Sequence, residues 1–293
     1  MRHPQAWFRA TRKQRLKRLI RLLGWPLLIY FVLRWFEHSQ VYQPSATMEV
    51  EGDALGRPFE DVHFTANDGV KLHGWFFPAD KNSPRIDRAI LICHGNGGNI
   101  SQRLDLCKVM LETGVNVFIF DYRGYGHSEG RPSEEGTYRD AQAAYQWLHG
   151  KGVAGTNIIG FGESLGGGIV SELAVREPLG GLILQSTFTS IPDLGAELFP
   201  WLPVRWLSTI KYDTRSKLSR LTIPVLVMHS RMDQVVPFSH GEKLFSAANE
   251  PKLFCELKGD HNDSLAAGRR QFVQGLDFFL SSIESKPPHS RPK

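Results

Sequence analysis

Ser164 sits in the stretch GFGESLGGG, residues 160–168, where five glycines surround a single serine. A glycine-rich turn between a strand and a helix either cradles a phosphate or exposes a nucleophile. Phosphate binding fits poorly. No GxxxxGK[ST] pattern occurs, and a dinucleotide GxGxxG would need glycine at 165, where Leu165 stands. A looser variant on Gly160, Gly162 and Gly166 would call for an acid at the end of the next strand, and that strand ends in Gln185 and Ser186. A nucleophilic serine needs a base oriented by a carboxylate, in the chain order serine, acid, histidine. Asp233 in HSRMDQVVP and His261 in KGDHND supply them, each on a loop just past a predicted strand. His94 ends a strand before glycines and reads as structural. His127, His149, His229 and His240 have no partner loop in the right order, and Asp260 and Asp263 read as solvated loop acids. Acyl transfer also needs two backbone N–H donors for the oxyanion. The Leu165 amide is one. The Asn96 amide, in HGNGGN at 94–99, is the other.

The elements that must position these residues follow from periodicity. FEDVHFTA and VKLHGWFF alternate and are joined through NDG, so a β-hairpin opens the domain. AILICH, VNVFIF, NIIGF, GLILQ, IPVLVMH and KLFCEL are short apolar runs of the buried kind. Helical patterns near 101–113, 134–149, 164–176, 238–248 and 269–283 separate or follow them. An antiparallel start followed by repeated strand–helix units predicts an α/β fold with a mostly parallel sheet covered on both faces. Residues 186–222 break the rhythm with an apolar, proline-punctuated insertion that reads either as a lid or as extra helices at the domain edge.

The formal charge is +5, but eight basic residues and no acid fall within 1–21, leaving 27 basic against 30 acidic residues beyond. A basic tail on a mildly acidic body points to membrane lipid rather than nucleic acid. The apolar run LLGWPLLIYFVL, 22–33, follows that tail and extends over 19–36 if flanking arginines snorkel. It predicts a single-pass anchor with the N-terminus inside and the body outside the cytoplasm. The alternative is a helix lying on the cytoplasmic face. The expected organisation is a basic tail at 1–18, the anchor at 19–36, a linker at 37–58, a catalytic domain at 59–283 and a disordered tail at 284–293. Cys93, Cys107 and Cys255 show no disulfide framework or metal-ligand spacing and read as inert thiols.

HGNGGN, DYRGYGHSEG, GESLGG, HSRMDQVVP and GDHND, in this order and spacing, resemble the α/β-hydrolase fold. Within that fold they resemble the single-pass, membrane-anchored serine hydrolases related to the yeast bud-emergence protein and its animal α/β-hydrolase-domain relatives. The resemblance covers 59–283. It implies an eight-stranded sheet with only the second strand antiparallel, Ser164 as nucleophile, Asp233 as acid, His261 as base, and oxyanion amides at Asn96 and Leu165. It also implies a structural DYRGYG, with Asp121 bonding nearby backbone and Tyr122 and Tyr125 near the pocket rim. One departure is visible: the acid loop of the family begins HGxxD, and Ser230 replaces that glycine here. The expected reaction is cleavage of a carboxylic ester or lipid thioester through an acyl-enzyme, needing no metal or cofactor. A serine peptidase and a catalytically idle membrane-bound scaffold are the alternatives.

Overall fold

The computed structural model describes the backbone of residues 12–284 and the side chains from residue 24 to 284. The outer part of the basic tail, 1–11, and the C-terminal tail, 285–293, lie outside the described residues. The chain divides into two units between Val41 and Tyr42.

The first unit carries helix α1, Arg12–Val41, with Pro26 inside it. Trp25, Leu27, Leu28, Ile29, Tyr30 and Phe31 are exposed. No helix among the described residues is long and apolar enough to cross a membrane, so the spanning anchor expected at 19–36 gains no support. The physical reason is length: the uninterrupted run between Arg21 and Arg34 is 12 residues. As a helix that is about 18 Å, against a hydrocarbon core of about 30 Å.

The second unit is built on one eight-stranded sheet, with strands β1 Glu60–Thr65, β2 Lys71–Phe77, β3 Ala89–Cys93, β4 Asn116–Asp121, β5 Ile158–Glu163, β6 Gly181–Gln185, β7 Val225–Ser230 and β8 Lys252–Leu257. Their spatial order is β8-β7-β6-β5-β3-β4-β2-β1. Only β2 runs against the rest, pairing antiparallel with both β1 and β4. This is the sheet the resemblance implied. The helices are α2 Leu104–Glu112, α3 Glu134–Gly150, α4 Leu165–Arg176, α5 Ile191–Leu198, α6 Val204–Leu207, α7 Thr214–Leu218, α8 Phe238–Ala247 and α9 Ser264–Glu284. The last begins five residues before the predicted start because a kink at Gly268 joins two helical pieces.

The central strands β3 to β7 are buried along almost their whole length, as parallel strands covered on both faces must be. On one face Ile90, Ile92, Ile119 and Phe161 pack with Val109 and Met110 of α2 and with Phe272 and Phe279 of α9. Strand alternation sends Phe118 to the other face, where its ring lies 4.5 Å from that of Trp147 in α3. The segment expected as a linker contributes to the sheet's surroundings: Gln43 and Pro44 pair in parallel with Gly97 and Gly98. The insertion at 186–222 holds the three short helices α5 to α7. Its base is tied down by the buried Tyr212, whose hydroxyl bonds Tyr42 Oη at 2.9 Å and Thr137 Oγ1 at 2.8 Å. Its tip leaves Trp201 and Trp206 exposed.

Candidate active site

Strand β5 ends at Glu163 and α4 begins at Leu165, so Ser164 alone makes the turn, with φ 50° and ψ −113°. A non-glycine residue at positive φ costs about 1–3 kcal/mol unless its surroundings enforce it. Here they do. The Ser164 amide donates to Gln185 O at 2.9 Å, and its carbonyl accepts from Gly167 N at 3.0 Å and Thr187 Oγ1 at 2.5 Å. The flanking glycines are needed for space rather than for catalysis. A Cβ on Gly162 would stand 2.5 Å from Gly166 O, and one on Gly166 would collide with the carbonyl of Cys93.

The loops after β7 and β8 bring the other two residues to the same edge of the sheet. His261 Nε2 lies 3.1 Å from Ser164 Oγ, and His261 Nδ1 lies 2.8 Å from Asp233 Oδ2. With the Nδ1 proton donated to the carboxylate, Nε2 is left as the acceptor facing the serine hydroxyl. All three side chains are largely shielded from solvent. Burial alone would raise the Asp233 carboxyl, but the neighbouring imidazoles of His229 and His261 and the Val236 amide hold it well below the usual carboxylate range. The second carboxylate oxygen accepts from Val235 N at 2.9 Å and Val236 N at 2.7 Å.

Asp260 and Asp263, the sequence neighbours of His261, keep to the loop: Asp260 Oδ1 accepts from His261 N at 2.7 Å and Gln234 N at 2.8 Å, and Asp263 accepts from the Asp260 amide. His94 is structural, its Nδ1 2.7 Å from Gly95 O and its ring centroid 4.4 Å from that of Tyr122 in a tilted arrangement. His229 is a supporting residue that the chain-order argument passes over. Its Nε2 donates to Val236 O at 2.9 Å and stands 3.5 Å from Asp233 Oδ2. Its spacing of four residues before Asp233 is the only signal the sequence carries. Ser230, the departure from HGxxD, has a clear use: its hydroxyl donates to Gly259 O at 2.5 Å and accepts from Met232 N at 3.1 Å. The serine thereby links the acid loop to the histidine loop.

Asn96 sits on the loop after β3, and Leu165 is the first residue of α4. The Asn96 carbonyl accepts from Gln43 N at 3.1 Å and from Tyr125 Oη at 2.9 Å. Tyr122 Oη donates to His94 O at 2.8 Å, and Asp121 Oδ1 accepts from Ile100 N at 3.0 Å. The DYRGYG motif therefore grips the loop carrying Asn96. Tyr122 and Tyr125 are not rim residues but fully buried props. Loss of one neutral hydrogen bond costs about 1 kcal/mol. Accordingly, Tyr125→Phe should lower kcat up to about tenfold with little change in KM, measured on any ester the wild type cleaves.

A cavity of about 330 Å³ opens beside His261, with Arg103, Asp105, Leu106, Glu163, Gln185 and Leu265 among its lining residues. Glu163 accepts from Gly95 N at 3.1 Å and stands 3.5 Å from Arg103 Nε. None of the insertion residues 186–222 lines this cavity.

A serine on a strained strand-to-helix turn, a histidine and a carboxylate in hydrogen-bond sequence, and this sheet order together define an α/β hydrolase. A family model described as "Serine aminopeptidase, S33" matches residues 84–219. An uncharacterised protein of Mycobacterium tuberculosis is 38% identical over 82% of this chain and 86% of its own. The Arabidopsis thaliana α/β hydrolase domain-containing protein WAV2 is 34% identical over 87% and 90%, and protein bem46 of Schizosaccharomyces pombe is 32% identical over 79% and 80%. Among solved structures, the Pyrococcus furiosus esterase Pf2001 superposes with a TM-score of 0.68 at 19% identity, covering 83% of this chain and 97% of that one. The chain belongs to the α/β-hydrolase family of the bud-emergence-related proteins.

Proposed function

We propose that the protein is a serine hydrolase that cleaves carboxylic ester or lipid thioester bonds through an acyl-enzyme. The observation that carries this reading is the hydrogen-bonded sequence Ser164, His261, Asp233, with separations of 3.1 and 2.8 Å. His261 Nε2 takes the Ser164 proton as Oγ attacks the acyl carbonyl. Asp233 holds the imidazole in the required tautomer and stabilises the imidazolium that forms. The amides of Leu165 and Asn96 receive the developing oxyanion. The imidazolium then protonates the leaving alcohol or thiol, and His261 activates the water that releases the acid. No step calls on a metal or a cofactor. Membrane lipid is proposed as the partner of α1, through its exposed apolar side chains and the basic residues before them.

A serine aminopeptidase is the second reading, favoured by the description of the matched family model and by two carboxylates, Asp105 and Glu163, lining the cavity beside His261. Glu163 is already engaged by Gly95 N and Arg103, which leaves Asp105 as the group to receive a substrate ammonium. Hydrolysis of nitrophenyl esters of increasing acyl length, compared with aminoacyl nitroanilides, separates the two. The ester reading predicts a kcat/KM at least about tenfold higher on the best ester. A preference for the aminoacyl amides would replace it with the peptidase reading.

A further inference from the structure

At the far edge of the sheet the β1–β2 hairpin carries a cluster that the hydrolase reading does not use. Asp61 and His63 are two residues apart on β1, so they share a face. The antiparallel register sets His63 directly opposite His73 on β2, which places all three side chains together. One carboxylate oxygen and one nitrogen from each imidazole lie within 4.8 Å of one another. Asp61 Oδ1 is 2.7 Å from His73 Nε2, and Asp61 Oδ2 is 3.8 Å from His63 Nδ1. Donors around a tetrahedral ion bound at about 2.0–2.1 Å stand roughly 3.3–3.5 Å apart, so side-chain rotation has to close the three groups from their present spread of up to 4.8 Å.

The mobility of the three groups is distributed usefully. His73 is buried at 1% exposure and fixed by the strand, whereas the His63 and Asp61 side chains are 68% and 51% exposed and can rotate to close on an ion. The ring of the exposed His127 lies 5.0 Å from that of His73, so a further imidazole stands at the cluster. Trp75 Nε1 donates to Asp61 Oδ1 at 3.1 Å and orients the carboxylate, as outer partners of metal ligands do. Two imidazoles and one carboxylate suit zinc rather than magnesium or calcium, which prefer all-oxygen sites.

We propose that Asp61, His63 and His73 form a zinc(II) site that fastens the edge strand β1 to β2. Its strands β2 and β1 lie three and four places from β5 in the sheet order, and it is separate from the hydrolytic chemistry. The test uses the full chain, free of any histidine tag and stripped with EDTA, titrated with zinc chloride by calorimetry and followed by thermal unfolding. The expected result is one zinc per chain with micromolar or tighter affinity, a raised Tm, and binding at least about tenfold weaker in His63→Ala. His63 is exposed, so a far-ultraviolet circular dichroism spectrum matching the wild type is expected and shows that the variant folds. Ester hydrolysis should be the same with and without zinc. Absence of saturable binding up to about 100 μM zinc, or wild-type affinity in a folded His63→Ala, would overturn the proposal.

Discussion

Ser164→Ala should reduce ester hydrolysis by about 10⁴–10⁶-fold in kcat and abolish covalent labelling by a fluorophosphonate. The size of the effect follows from what is lost: without Oγ there is no acyl-enzyme, and His261 has nothing to deprotonate. Substrate binding should persist, because no part of the cavity wall is removed. The protein should remain folded, since alanine at φ 50° carries the same backbone strain as serine. Ser164→Gly is the informative companion. It should be as inactive as the alanine variant yet more stable by about 1 kcal/mol, because glycine relieves the strain at that turn. Chemical denaturation measures the stability difference. Retention of esterase activity by either variant would mean that another nucleophile does the chemistry.

Asp233→Asn should lower kcat by about 10³–10⁴-fold while leaving KM nearly unchanged. The amide would offer an N–H2 donor or a weaker acceptor to His261 Nδ1, so the proton would no longer be held on Nδ1 and Nε2 would lose its role as acceptor for Ser164. The same substitution tests the electrostatics. Asp233 has a folded-state pKa held well below its unfolded value, which is about 3.9. Its contribution to stability is therefore full above that value and is lost as pH falls below it toward the folded pKa. Urea midpoints measured from pH 6 downward should fall more steeply below about pH 4 for the wild type than for Asp233→Asn. Parallel acid profiles would show that the carboxylate gains nothing from its partners.

The parts of this site that lie within a few covalent bonds were legible in the chain. GESLG states its own turn, because a Cβ on Gly162 would meet the backbone of Gly166 and Gly167, a local clash, although glycine at 166 is required by the carbonyl of distant Cys93. The strands β6 and β8 were predicted to the residue, since short apolar runs bounded by turn residues leave little latitude. The order serine, acid, histidine identified Asp233 and His261 because both follow strands whose ends share one edge of a parallel sheet. What the chain concealed depends on contacts between distant residues. Tyr125 and Asn96 are 29 positions apart, and nothing in DYRGYG says that its tyrosines turn inward to prop the loop after β3. Ser230 reads as a defect in a motif until Gly259 is seen as its acceptor. His229 is one of two strand-end histidines, with His94, until the loop folds back and sets it behind Asp233. The Asp61, His63 and His73 cluster required the register of β1 on β2, which a one-residue slip would have dispersed to opposite faces. The anchor expected at 19–36 depended on snorkelling arginines to extend a 12-residue apolar run, and the side chains of its first residues, 19–23, lie outside the described ones.

Peptide mapping by mass spectrometry after reaction with a fluorophosphonate tests the central claim most directly. The account predicts one phosphonyl adduct per chain, located on the peptide that contains Ser164, with esterase activity lost in proportion to its formation. An adduct on a different residue, or hydrolysis that survives complete modification of Ser164, would contradict it.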